Sequence, residues 1–306
     1  MVDDTEKNDI GNANQPKTPM NWNNPPRNWN KHKYAFLLAT RHYKMLVDEG
    51  RLAAFRNTIL SSVNSDDVVA DLGAGTGILS MIAAQKAKKV YAVELFPYLY
   101  ELAQENAQRY GLSDRITFVQ HDARTVVLPE TVDVIICEMV HTGCIAEHQI
   151  PVMNHALKTF LKPSGRVIPK SITTNAQLIT TNYHFNGYEM KLPHYQNPTE
   201  IPWEISLSPI HRLREFDLTT INPLSATGTV TVQITRDGIL NGLKITSEVF
   251  LTPSLIVTEK DMTSSLEPII FPLDDQPVAP GDEVQIEFFY EPGAGAEGFH
   301  YNVTIL

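Results

Sequence analysis

The chain has 306 residues, a formal charge of −10 and two cysteines. That length admits two domains and a sizeable core. The acidic balance argues against nucleic acid and for a cationic substrate, the two cysteines are too few for a disulfide framework and fit a reducing cytoplasm, and no apolar run is long enough to cross a membrane.

Residues 1–30 are polar, rich in Asn and Pro, and carry Trp22 and Trp29. They read as a disordered segment without a secretory signal, its last part ordering over a ligand. Tyr34 to Val63 has a helical pattern, with Gly50 as the expected break and Arg51 just after it.

Val68 to Leu72 is a short apolar run that suits a buried parallel strand. Gly73, Gly75 and Gly77 follow in alternation, then a helix over Ile78 to Ala87 and a strand over Val90 to Glu94. A dinucleotide fingerprint needs a third glycine at position 78, where this chain has Ile78. Asp71 before the turn disfavours a pyrophosphate and favours an ammonium or sulfonium. Glu94, ending the next strand, can accept both hydroxyls of a ribose. A ribose with a cationic amino-acid tail describes S-adenosylmethionine.

The alternation continues. Pro97 opens a helix with Leu99, Leu102, Ala103, Ala107 and Tyr110 as its apolar face, and Gly111 ends it. Ile116 to Gln120 is a strand, followed by Asp122 and Ala123, and Val132 to Cys137 is another, followed by Glu138. A helix through Val152 and Leu161 stops at Pro163 and Gly165, and a last strand begins at Arg166. Alternating strands and helices imply a parallel sheet whose ligands lie at the strands' carboxyl ends. Asp71, Glu94, Asp122 and Glu138 all stand there. After Pro169, segments such as Thr229–Thr235, Leu243–Leu251, Glu283–Tyr290 and Tyr301–Ile305 alternate apolar with polar. The expected fold is an α/β Rossmann-like domain over residues 31–168, followed by an all-β barrel or sandwich over 169–306. Leu192 to Pro209 reads as an extended excursion.

With these segments placed, the chain resembles the protein arginine N-methyltransferases, a family of S-adenosylmethionine-dependent enzymes. The likeness rests on HYKMLVDEGR at 42–51, on DLGAGTGILS at 71–80, on Glu138 and Glu147 nine residues apart, and on LKPSGRVIP. It implies that His42, Met45 and Arg51 contact the cofactor, with Asp71, Gly73, Gly75, Gly77, Glu94, Asp122 and Ala123 completing its site. Arg51 is expected to pair with the tail carboxylate. The resemblance also implies that Glu138 and Glu147 form a two-glutamate loop. There are departures: Ser264-Ser265-Leu266 stands where the family has Thr-His-Trp, and the dimerisation arm has no clear equivalent.

Two carboxylates can bind the N–H groups of a guanidinium and bias electron density toward the attacking nitrogen. His141, between the two acids, is the candidate base in place of the missing histidine. His148 lacks a third metal ligand at recognisable spacing, so no metal site is expected. The expected activity is methyl transfer to a guanidine or other cationic nitrogen on a peptide or small molecule, and an oligomer is left open. The alternatives are an N- or O-methyltransferase acting on a metabolite and a catalytically silent binding module.

Overall fold

The computed structural model describes residues 31–197 and 203–306. The expectation of disorder over 1–30 falls outside the described residues. The chain divides into two units between Thr40 and Arg41, and Arg41–Leu306 is the second. Of the first, the structure describes the opening turns of helix α1 (Lys31–Val47), where the Thr40 hydroxyl donates to the Phe36 carbonyl at 2.8 Å.

The second unit begins with the end of α1 and with α2 (Glu49–Ser62). The break lies at Asp48, not at Gly50 as the sequence suggested. The Asp48 carboxylate accepts the Arg51 backbone N–H at 3.1 Å and so caps α2. Gly50 falls inside the first helical turn.

Five parallel strands follow: β1 (Val68–Leu72), β2 (Lys89–Glu94), β3 (Ile116–Gln120), β4 (Val132–Ile136) and β5 (Leu161–Ile168). Their order is β3-β2-β1-β4-β5. The chain therefore moves outward from β1 on one side and then returns to place β4 on the other. That reversal opens a crevice at the carboxyl ends of β1 and β4, where open α/β sheets bind ligands. Every residue of β1 is buried, and Asp71 is in register with Ala92 on β2 and Ile136 on β4.

Helices α3 (Ile78–Ala84), α4 (Pro97–Arg109) and α5 (Gln149–Thr159) connect these strands. Helix α3 stops earlier than expected, in a turn where Gln85 N–H bonds to Ile82. On α4, Leu99, Ala103 and Ala107 are buried as expected, whereas Tyr110 is exposed beyond the helix end. Strand β5 begins at Leu161, before the Pro and Gly that were read as its boundary.

After β5 the pairing becomes antiparallel, and the strands form a curled, barrel-like β region. Its central strand is β6 (Ser171–Thr181), which pairs with 204–206, 211–217, 238–246 and 249–252. A further sheet joins 226–233, 283–290 and 300–305. The segment read as one strand over Leu243–Leu251 is two, Gly238–Thr246 and Val249–Thr252. The interruption has a use: Ser247 accepts the Gly143 N–H at 2.7 Å, and the Glu248 N–H donates to Thr173 at 3.0 Å. One hydrophobic core runs through residues of the parallel sheet and of the two larger antiparallel sheets. Among the described residues no helix is long and apolar enough to cross a membrane.

Candidate active site

The turn after β1 holds Gly73, Gly75 and Gly77 at φ of +76°, +57° and +81°. Those left-handed values favour glycine, and the space demands it too. A Cβ on Gly73 would lie 2.5 Å from the Met139 methyl, and one on Gly75 would lie 2.6 Å from the His42 ring. The turn is thus the floor on which α1 and the loop after β4 converge.

Glu94 is buried at the end of β2. Its two oxygens accept the N–H groups of Gly75 and Phe96, each at 2.8 Å. Its pKa is raised by burial, against the pull of these backbone donors. Asp71 is buried beneath the turn and accepts the Ser80 hydroxyl at 2.6 Å. Burial first, then the neighbouring Glu138 and Glu94 charges, push its pKa up to about 7.

A stability prediction follows from Asp71. The unfolded chain ionises this carboxyl near 3.8 and the folded chain near 7. The contribution of the protonated form is full below the lower value and is lost as pH rises through the upper one. Asp71→Asn should abolish that component. Denaturant unfolding between pH 4 and 8 should therefore show the wild type losing stability relative to the variant as pH rises. Parallel profiles would refute it.

The buried guanidinium of Arg51 pairs with the carboxylate of Glu138, with side-chain exposures of 5% and 7%. It also donates to the Met45 carbonyl at 3.2 Å and lies over the Phe55 ring. Arg51 Nε and Glu138 Oε1 remain buried without a hydrogen-bond partner among the described residues. Buried polar groups normally find partners. The unspent Arg51 donor suits the tail carboxylate of S-adenosylmethionine, which the residues present therefore fit, and the unspent Glu138 acceptor suits an N–H group of a second ligand. His42 is mostly buried, and its pKa is lowered to about 4 by desolvation and by Arg41 and Arg51, so the ring is neutral at pH 7.

The loop from Glu138 to His148 carries the second part of the site. Gln149, fully buried, fixes its ends: its carbonyl accepts the Met139 N–H at 2.9 Å and its amide donates to the Cys137 carbonyl at 2.8 Å. Sequence reasoning missed this residue. The loop turns through two successive left-handed residues, Gly143 at φ +67° and Cys144 at φ +56°. The β region holds it there. Thr142 donates to the Glu267 carbonyl at 2.7 Å, and Gly293 N–H bonds to the carbonyls of Cys144 and Ile145. A Cβ on Gly293 would strike the His148 ring at 2.2 Å.

Glu147 leaves this loop to pair with Arg41 of α1. His141 packs edge-on against Tyr195, with ring centroids 5.6 Å apart. Its pKa is lowered, by burial first, which keeps it neutral and able to accept a proton. Tyr195 lies in the segment read only as an excursion, on a short strand beside 269–270. Asp122, expected beside an adenine, is held by Arg124, whose guanidinium reaches both carboxylate oxygens, Oδ1 from Nε and Oδ2 from Nη2. That contact holds its pKa below the usual carboxylate range. Ala123 beside it is buried. Both cysteines are buried free thiols. Among the described residues no group of His, Cys, Asp or Glu side chains is placed to hold a metal ion.

A family model described as a methyltransferase domain matches residues 69–165. The chain is 34% identical over 263 residues to an uncharacterized protein of Methanocaldococcus jannaschii, covering 86% of this chain and 96% of that one. It is 33% identical over 203 residues to protein arginine N-methyltransferase 2 of Mus musculus, covering 63% of this chain and 43% of the mouse protein. In structure it is similar to a Trypanosoma brucei PRMT1 enzyme–prozyme heterotetrameric complex with AdoHcy, with TM-score 0.71 and 20% identity over 87% of this chain and 96% of that one.

Proposed function

The chain belongs to one family with the methanogen protein and is a divergent S-adenosylmethionine-dependent methyltransferase resembling the protein arginine N-methyltransferases, and from that premise we propose that it methylates a guanidine or another cationic nitrogen. One observation carries the substrate class. Each acid of the loop after β4 engages a guanidinium of the chain itself, Glu138 that of Arg51 and Glu147 that of Arg41. Carboxylates so placed suit a planar cationic fork.

When bound, S-adenosylmethionine supplies a methyl group already activated on a sulfonium. In this reading Arg51 holds the tail carboxylate, Glu94 the ribose hydroxyls, and Asp122 with Ala123 the adenine. The turn at Gly73, Gly75 and Gly77 gives backbone access, and His42 and Met45 close the cleft from α1. Glu138 and Glu147 orient the acceptor nitrogen, and neutral His141 takes up the proton that the product releases. Residues 31–168 form the cofactor domain of this proposal and 169–306 the substrate domain.

A metabolite acceptor is the second reading, and a specific contact favours it. Ser264, in the triplet that departs from the family pattern, is turned away to the Asp48 carboxylate, to which its N–H and hydroxyl donate at 2.9 and 2.8 Å. Turnover of labelled donor against arginine peptides, free guanidines and phenols separates the two. Acceptance of phenols alone would overturn the cationic nitrogen.

The same proposal includes a cytoplasmic setting and leaves an oligomer open, which sedimentation velocity decides.

Glu94→Ala should weaken S-adenosylhomocysteine binding by about 1.5–3 kcal/mol, the worth of hydrogen bonds to a charged acceptor. Calorimetry giving an unchanged affinity would remove Glu94 from the ribose site.

A further inference from the structure

We propose that Arg41 is a specificity-determining residue, a resident guanidinium that occupies Glu147 until a substrate guanidinium displaces it. The inference rests on the cationic-nitrogen reading above and concerns one side chain that no motif singled out.

The two ion pairs of the loop differ in a way that decides their roles. Arg51 and Glu138 are both sealed in the interior, and separating them leaves a buried charge alone. Arg41 and Glu147 have side-chain exposures of 57% and 26%. An ion pair this open to water is worth little, and its arginine can return to solvent at small cost. Glu147 therefore has a partner that is easily exchanged, whereas Glu138 has a fixed one.

Position adds to this. Arg41 immediately precedes His42, whose ring rests on the Gly75 turn of the cofactor cleft. Its guanidinium thus lies between the α1 wall of that cleft and the loop that carries Glu147. The surrounding groups suit a cation that is released and recaptured. Glu267 lies within electrostatic range of both Arg41 and Lys44, and Tyr195 within range of Arg41, Glu147, Glu267 and Glu297. A displaced Arg41 stays among carboxylates.

The chemical consequence is a filter. A neutral acceptor that pushes Arg41 aside leaves Glu147 without a countercharge. A guanidinium that does so replaces like with like, and it brings the planar N–H fork that a carboxylate prefers. Arg41 thus adds one and the same displacement cost to every acceptor that needs Glu147, and a cation recovers it by restoring the carboxylate's countercharge.

The test uses the full chain saturated with S-adenosylhomocysteine, and ethylguanidinium and a short arginine peptide as probes. Arg41→Ala should tighten both probes by about fivefold, the scale of an exposed ion pair, and in turnover should lower KM with kcat unchanged. Glu147→Gln should weaken both probes, and adding Arg41→Ala to it should change nothing further, because Arg41 acts only through Glu147. If Glu147→Gln weakens the probes while Arg41→Ala leaves them unchanged or weaker, the resident role of Arg41 is wrong and the guanidine reading stands. If Glu147→Gln binds the probes as the wild type does, both readings fall.

Discussion

Glu138→Gln is expected to lower kcat by about 100- to 1000-fold, the scale of losing one preorganised electrostatic group. The reason lies in the acceptor. A guanidinium is a poor nucleophile because its lone pair is delocalised, so the enzyme must orient it and draw electron density onto one nitrogen. Glu138 follows β4 at the point where the strand order reverses, and its Oε1 has no partner among the described residues. Glutamine keeps the shape and removes the charge. Because Arg51 loses its countercharge too, the variant's melting temperature must be measured beside its kinetics. The reading requires a fall in kcat much larger than the change in S-adenosylhomocysteine affinity. If Glu138→Gln and Glu147→Gln both turn over the native substrate normally, the metabolite reading becomes the better account.

The parts of the site that local chemistry dictates were open to reading from the sequence. A turn in which three residues adopt positive φ, each of them against a side chain, must be built from glycine. Its alternation was therefore visible without any knowledge of distant contacts. The carboxyl-end acids were visible for the same reason, since each lies at or within two or three residues of the end of a short apolar run. What surrounds each acid was less visible. Asp122 sits two residues from Arg124, and nothing in the spacing tells whether that arginine turns inward to it. The structure shows that it does.

Some misreadings come from a neighbouring side chain that was passed over, others from contacts distant in the chain. Gly50 was taken as the break between α1 and α2 because glycine is a general punctuator. The Asp48 carboxylate decided instead: one oxygen caps α2 through the Arg51 N–H three residues on, and the other is held by Ser264, 216 residues on. Strand β6 was not anticipated because Thr173, Thr174 and Asn175 look like surface residues. They are buried, and Thr174 is satisfied by the Gly143 carbonyl at 3.2 Å and the Tyr290 hydroxyl at 2.7 Å. Polar residues that hold an active-site loop from behind break the alternation by which strands are recognised. Gln149 escaped notice in the same way, since a glutamine at the start of a helix usually faces water.

Arg51→Ala is expected to produce the largest loss of stability among single substitutions at the site, about 3–5 kcal/mol. The variant leaves the Glu138 carboxylate buried without its countercharge, and it opens the space beside Phe55 that the guanidinium covers. Two readouts separate structure from recognition. In the first, Arg51→Met with Glu138→Leu, which removes both charges and keeps most of the volume, should recover much of the stability lost in either single variant. Additive losses in that cycle would show that the pair is not coupled. In the second, Arg51→Ala should raise the dissociation constant of S-adenosylmethionine while leaving that of its decarboxylated form nearly unchanged, because only the former carries the tail carboxylate. Equal losses for the two ligands would mean that Arg51 supports the cleft without touching the tail. The two tests are independent: the first asks what Arg51 does for Glu138 in the interior, and the second asks whether its unspent Nε is the donor that the cofactor's carboxylate meets.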